Sequence, residues 1–209
     1  MYPSKLYRIK LFLKSKLFQR SITINNNINF GSKIANNYFF QSLKTSKFYF
    51  EYGSGSSSLL ANKLKKNFIS IESDFKFYNY MKYKKRIHSI KYCNLGPTLN
   101  YSYPLFIFKK KIINYVSSFN FCMKQKKPLD LILIDGRFRI ACCLNLLNFR
   151  KNLLRNRTKI ILDDYFNREH YQILNLYFKI KKIGRFAVLK PKIHKNFRKD
   201  LKHYLNDPR

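Results

Sequence analysis

FYFEYGSGSSS, residues 48–58, is the stretch on which the fold turns. An apolar run ends at Glu51, glycines follow at Gly53 and Gly55, and Ser57–Lys66 reads as a helix. The predicted unit is a strand, a glycine loop and a helix. Glycines at these positions let a ligand approach the backbone, and the helix behind them offers unpaired N–H groups. A serine at the helix start can cap it. Taken alone, a two-glycine loop is also a common structural turn, so its surroundings must decide.

The alternation continues on both sides. Upstream, 33–43 reads as a helix leading into the domain. Downstream, strands are expected at 68–72, 87–92, 129–134 and 159–162, and helices at 75–84, 107–124, 140–149 and 168–176. LDLILI, 129–134, is the clearest buried strand, apolar except for Asp130 and bounded by Asp135-Gly136. Segments 179–183 and 185–189 flank Gly184 and are expected to pair as an antiparallel hairpin. Strands alternating with helices predict an α/β fold. The expected form is a doubly wound, seven-stranded, mostly parallel sheet with an antiparallel C-terminal hairpin strand and helices on both faces. The domain is placed at 33–190, between a basic N-terminal extension (1–32) and a basic C-terminal tail (191–209).

Composition bounds the function. No apolar run has membrane-spanning length and no secretory leader pattern is present, so a cytoplasmic protein is expected. The basic, acid-free start is also compatible with organellar targeting. The four cysteines form no Cys-x-x-Cys pair and fit small core residues in a reducing compartment. The net charge of +33 is consistent with a nucleic-acid or other polyanion partner, and the basic runs 109–111, 150–157 and 190–198 would serve it. It is equally consistent with the Lys- and Asn-rich codon usage of an AT-rich genome, and both readings stand.

Only ten residues are acidic, which makes their positions informative. Glu51, Glu72, Asp135 and Asp163 each close a predicted strand. In a doubly wound sheet, ligands bind beyond the carboxyl ends of the strands. An acid at the end of the second strand can accept both hydroxyls of an adenosine ribose. Dinucleotide sites share that feature, but their third glycine is Ser58 here. Glu51, two residues before the first glycine, would repel a pyrophosphate and attract a sulfonium or an amino group.

EYGSGSS followed by SIESD resembles the first two motifs of class I, Rossmann-like S-adenosylmethionine-dependent methyltransferases, and LDLILIDG resembles their fourth-strand motif. The hairpin around Gly184 is similar to the strand pair that distinguishes this family. The resemblance covers about residues 33–190. It implies that Gly53, Gly55 and Ser56 lie against S-adenosylmethionine, that Glu72 holds its ribose, that Glu51 anchors its methionine end and that Asn94 lies near its adenine.

On the acceptor side, Asp135, Asp163 and Asp164 resemble the acids of metal-dependent O-methyltransferases of the catechol and macrocin types, which implies a Mg²⁺ site on these three carboxylates. Asp163-Asp164 also fits a helix cap plus a loop acid, and Arg137 or Arg139 could instead neutralise the three carboxylates as ion pairs, which would make the cluster structural. Sugar-modifying relatives have a further acid where this chain has Arg137. Arg137 and Arg139 point instead to an anionic small-molecule acceptor. Asp135, Arg137 and His170 are the candidate catalytic residues, although a lone helical histidine more often packs. The expected activity is O-methylation of a small hydroxylated metabolite or sugar. The alternative, RNA or DNA methylation, draws on the charge, but no Asn/Asp-Pro-Pro-Tyr-like motif follows the fourth strand.

Overall fold

A computed structural model describes residues 24–123, 128–149, 154–192 and 196–209, together with 6, 7, 9, 10, 13 and 22. Most of the 1–32 extension and parts of the basic segments 150–157 and 190–198, His194 included, lie outside the described residues. In chain order the elements are α1 (Lys33–Thr45), β1 (Phe48–Tyr52), α2 (Ser56–Lys63), β2 (Asn67–Glu72), α3 (Phe75–Asn79) and β3 (Ile90–Tyr92). Then come α4 (Lys109–Val116), α5 (Asn120–Met123), β4 (Leu129–Ile134), α6 (Arg139–Leu146) and β5 (Leu154–Leu162). A 3-10 helix (Glu169–Leu176), β6 (Phe178–Ile183), β7 (Phe186–Pro191) and α7 (Phe197–Tyr204) complete the chain.

The seven strands form one sheet in the order β3-β2-β1-β4-β5-β7-β6. Strands β1 to β5 pair in parallel, and β7 runs antiparallel to both β5 and β6. The order reverses between β1 and β4, which puts the binding crevice above their carboxyl ends. β1 shows why this strand lacks simple apolar–polar alternation: it is buried on both faces. Phe48, Phe50 and Tyr52 enter the core shared with α4 and α6, whereas Tyr49 packs with Phe39, Leu43 and Ala61 under α1 and α2. Asp130, the polar exception in β4, accepts the N–H groups of Lys47 (2.9 Å) and Phe48 (3.1 Å) and so fixes the start of β1.

The ends of the domain differ from the sequence expectation. Within the 24–32 segment, Phe30 is buried and its ring packs on Phe39 (5.0 Å) and Phe186 (4.8 Å). Ser32 then caps α1 by accepting the Ala35 N–H at 3.1 Å. Residues 191–209, expected as a basic tail, include a helix docked on the domain. Phe197, Leu201, Tyr204 and Leu205 pack against the main core, and Tyr177 donates to Asp200 at 2.5 Å. Beyond α7, the carbonyls of Pro208 and Arg209 accept the N–H groups of Phe138 (3.2 Å) and Arg139 (3.3 Å) at the start of α6. The apolar spacing 197, 201, 204 is a helical stripe, and burying it outweighs the solvation that the surrounding charges favour.

The loops after β1 and β4 cross at backbone contact. Gly53 has φ +89°, and a Cβ there would lie 2.9 Å from the Asp135 carbonyl and the Gly136 nitrogen. Gly53→Ala adds a left-handed penalty to a clash with backbone that cannot swing aside. It is expected to destabilise the fold by about 1–3 kcal/mol, read as a lower urea midpoint with an unchanged slope.

Candidate functional site

Glu51 closes β1 but does not face the crevice. It is fully buried and accepts hydrogen bonds from Tyr49 Oη (2.5 Å), Ser57 Oγ (2.6 Å) and Ser58 Oγ. Burial raises its carboxyl pKa, and the three hydroxyl donors oppose that rise. The expectation that Glu51 anchors a ligand is therefore corrected: its oxygens hold the first turn of α2. Ser58, where a dinucleotide site would have glycine, also accepts the Gly55 N–H at 3.1 Å.

The other loop residues do face outward. A Cβ built on Gly55 meets no atom within 4 Å, so the loop opens onto free space there. Ser56, half-buried, is the first residue of α2. Glu72, at the end of β2, is 4% exposed. Its Oε1 accepts the N–H groups of Ser73 (2.6 Å) and Asp74 (2.7 Å) and the hydroxyl of Ser102 (3.1 Å). Its Oε2 accepts only the Ser54 N–H, at 3.2 Å, among the described residues. Burial pushes its pKa up to about 7 against the pull of the N–H donors. Ser102 was not identified from the sequence. It lies on a short turn where Tyr101 (φ 58°) and Ser102 (φ 59°) are both left-handed, a conformation that stores strain in non-glycine residues. Asn94 is exposed, and its Oδ1 accepts the Gly96 N–H at 2.7 Å. It borders a cavity of about 450 Å³ together with Tyr92, Cys93 and Lys111.

On the acceptor side, Asp135 ends β4 with its side chain 35% exposed. Arg139 holds its Oδ1 at 2.7 Å, leaving Oδ2 without a donor among the described residues. Burial is the main cause that moves its pKa to about 7, and the Asp163 and Asp164 charges add to it against Arg139 and Arg185. Asp163, 1% exposed, is held by Arg185 through two contacts of 2.6 and 2.5 Å. Asp164 meets Arg185 at 2.6 Å, Arg168 at 3.1 Å and Arg139 at 3.7 Å.

These pairs engage the carboxylates of the expected metal site on Asp135, Asp163 and Asp164. Among the described residues no group of three His, Cys, Asp or Glu side chains is arranged to hold a metal ion. Guanidinium groups take the oxygens a cation would need, and the cation would face the charges of Arg139, Arg168 and Arg185. The i,i+4 pairs Asp135–Arg139 and Asp164–Arg168 were legible signals for this outcome. Arg185 was not, because only the hairpin register brings it to β5.

Arg137, by contrast, makes no ion pair among the described residues. Its guanidinium lies 5.9 Å from the centre of the Tyr103 ring, and its backbone N–H donates to Tyr115 Oη at 3.1 Å. His170 packs its ring against Tyr171 at 4.4 Å, and its Nε2 is buried without a partner among the described residues. No hydrogen bond connects it to Asp135, so the structure does not join these two candidate catalytic residues into a pair.

Asp163→Asn removes one charge of a pair whose acid is fully buried. It is expected to cost on the order of 3 kcal/mol, measured by chemical denaturation. Mg²⁺ added at constant ionic strength is expected to leave the melting temperature of the parent protein unchanged. A Mg²⁺-dependent rise that disappears in Asp163→Asn would restore the metal reading.

Comparison with known proteins adds the fold. No family model and no curated protein matches the chain. Among solved structures, a methyltransferase-like protein from Silicibacter pomeroyi superposes with a TM-score of 0.74 at 22% identity, covering 88% of this chain and 100% of that one. An O-methyltransferase from Bacillus cereus in complex with SAH matches with a TM-score of 0.47 at 12% identity, over 91% of this chain and 93% of that one. The strand order, the reversed β7 and the full-length match to the Silicibacter protein establish that the chain has the class I, Rossmann-like methyltransferase fold.

Proposed function

We propose that the protein transfers a methyl group from S-adenosylmethionine to a hydroxyl of a small acceptor. The observation that carries this reading is the arrangement at the switch point of the sheet. An open glycine loop (Gly55) and a buried carboxylate with a spare oxygen (Glu72) stand on one side, and a partly exposed carboxylate (Asp135) stands on the next strand.

The residues fit the cofactor. Glu72 Oε2 can accept ribose hydroxyls, Gly55 leaves room for the chain that follows, and the first turn of α2 presents N–H groups to its carboxylate. When bound, S-adenosylmethionine supplies a methyl group on a cationic sulfur, open to displacement by an oxygen lone pair. Asp135 is suited to take the acceptor's proton. Its pKa of about 7 matches a base working near neutrality, and Arg139 orients it by Oδ1 while Oδ2 stays available. Ser102 now donates to the Glu72 carboxylate, so the 97–105 loop must adjust if that oxygen is to bind ribose. No helix among the described residues is long and apolar enough to cross a membrane.

Calorimetry with S-adenosylhomocysteine and with NAD tests the cofactor assignment, and tighter binding of NAD would overturn it. Glu72 sets a pH dependence for this binding. Without ligand the Glu72 carboxylate takes up a proton near pH 7, and only the carboxylate accepts two ribose hydroxyls. Affinity is therefore expected to be constant at higher pH and to fall about tenfold per unit below about pH 7. Glu72→Gln should weaken binding by about 1.5 kcal/mol and remove that slope.

Asp135 is read separately, in kcat at saturating cofactor. Product formation across a panel of hydroxylated acceptors is expected to rise with pH through about 7. Asp135→Asn should lower kcat about 100-fold and leave cofactor affinity unchanged. An unaltered kcat in that variant would remove Asp135 from the chemistry.

A further inference from the structure

One short hairpin reaches both sides of the crevice. In residues 97–105, Leu105 N–H donates to the Pro97 carbonyl at 2.8 Å and Leu99 N–H to the Tyr103 carbonyl at 2.7 Å, and Thr98 pairs with Pro104 in an antiparallel bridge. Both legs are fixed. Pro104 and Leu105 are buried on the returning leg. On the other, Gly96 has φ +94°, its N–H donates to Asn94 Oδ1 at 2.7 Å, and a Cβ there would lie 2.7 Å from the Phe108 ring. The tip has no such anchorage in the core: Tyr101 is 83% exposed and Ser102 half-buried.

What the tip touches is the site. Ser102 Oγ donates to Glu72 Oε1 at 3.1 Å at the end of β2, and the ring of the next residue, Tyr103, lies 5.9 Å from the Arg137 guanidinium beyond β4. Tyr101 (φ 58°) and Ser102 (φ 59°) are both left-handed. Non-glycine residues keep such a conformation only where surrounding contacts impose it, and burial of Tyr101 does not. The Ser102–Glu72 bond is a contact that does. It also fills Oε1, which already accepts the Ser73 and Asp74 N–H groups at 2.6 and 2.7 Å. A carboxylate oxygen offers about two lone-pair sites, so a ribose hydroxyl has no place there while Ser102 stays. Of the three donors Ser102 is the one that can leave. The other two belong to the backbone directly following Glu72.

We propose that the 97–105 hairpin is an autoinhibitory strap: in the free protein the Ser102 hydroxyl occupies the position of one ribose hydroxyl on Glu72, and the cofactor binds by displacing it. The inference rests on the reading of Glu72 as the ribose acceptor. The exchange is one hydroxyl for another, so the buried carboxylate keeps its full set of donors in both states. Relief of the two left-handed residues favours release, and the lost hydrogen bond opposes it. Only the fraction of protein with the strap lifted is competent to bind, which lowers the apparent affinity by that fraction. Because Ser102 and Tyr103 are adjacent, the strap cannot leave Glu72 without moving the ring that lies against Arg137. The cofactor and acceptor halves of the crevice therefore open together.

The experiment compares the full-length parent with Ser102→Ala, using S-adenosylhomocysteine as the probe and surface plasmon resonance for the rates. Removing the competing hydroxyl is expected to raise affinity about tenfold, the scale of one hydrogen bond to a charged group. The gain should lie in the association rate, with dissociation unchanged, because the strap holds only the free protein. Thr98→Ala, in the same hairpin, is the control and should bind like the parent. Hydrogen exchange reads the strap directly. Without ligand, segment 97–105 should exchange faster in Ser102→Ala than in the parent. Adding S-adenosylhomocysteine to the parent should speed exchange in 97–105 while slowing it in 53–58. A melting temperature close to the parent's shows that the variant is folded. Affinity that is unchanged or lower in Ser102→Ala, a gain confined to the dissociation rate, or slower exchange of 97–105 on ligand addition overturns the strap. If S-adenosylhomocysteine binds neither protein, the methyltransferase reading fails instead, and exchange in the ligand-free variant still decides whether Ser102 holds the tip.

Discussion

The backbone crossing between the β1 and β4 loops is the constraint on which the site depends. Asp135 N–H donates to the Tyr52 carbonyl at 2.9 Å, and Gly53 N–H donates to the Ile71 carbonyl at 2.9 Å. Three parallel strand ends are thereby tied at one point. The approach is close enough that neither loop tolerates a side chain: a Cβ on Gly136 would lie 2.1 Å from the Tyr115 hydroxyl and 3.1 Å from Gly53 N. With both glycines in place, the open side of Gly55, the Glu72 carboxylate and the Asp135 carboxylate all lie around the same crevice. The mutual placement of Gly55, Glu72 and Asp135 is thus a consequence of main-chain hydrogen bonding.

Scarcity of acids gives the second constraint. In a chain with 43 basic residues and ten acids, nearly every carboxylate is used as a connector. Asp130 ties the start of β1, Asp74 caps α3 through the Phe77 N–H at 2.8 Å, and Asp200 receives the Tyr177 hydroxyl from across the domain. Glu51 belongs to this group, since it organises the helix start behind the glycine loop. A carboxylate buried without donors would cost far more than the fold's marginal stability, and each buried acid here has hydroxyl, N–H or guanidinium partners. What distinguishes Glu72 and Asp135 from the others is a spare oxygen rather than the presence of charge.

Much of the fold was legible because period and punctuation agreed. LDLILI gave β4 at its observed limits, and the glycine at 184 marked the β6–β7 hairpin. Element types were read well and their character less well: 168–176 is a 3-10 helix, and 80–84 a π-helical turn. Neither difference has a signature in apolar spacing. α7 was hidden by its charges, although Phe197, Leu201 and Tyr204 carried the pattern. In the site, residues set by local sequence were placed correctly at strand ends. Roles that depend on what lies opposite were less legible: Glu51 turns inward because Ser57 and Ser58 curl back over it, and Arg185, which pairs with Asp163 and Asp164, reaches them only through the hairpin.

The arginines at the ends of β4 and β5 change how strand-end acids are weighed. Asp135, Asp163 and Asp164 form the same local pattern whether a cation or a set of guanidiniums neutralises them, because the pattern records only the negative half of the arrangement. The positive half comes from residues four positions later on the same element and from a hairpin returning to the sheet. Once both halves are placed, the three acids cease to be equivalent. Asp163 is sealed beneath Arg185, Asp164 is shared among three arginines, and Asp135, with a similar exposure to Asp164, keeps one oxygen without a donor among the described residues. The arginines thereby do for Asp135 what a metal would otherwise do for an acceptor: they fix one oxygen in space.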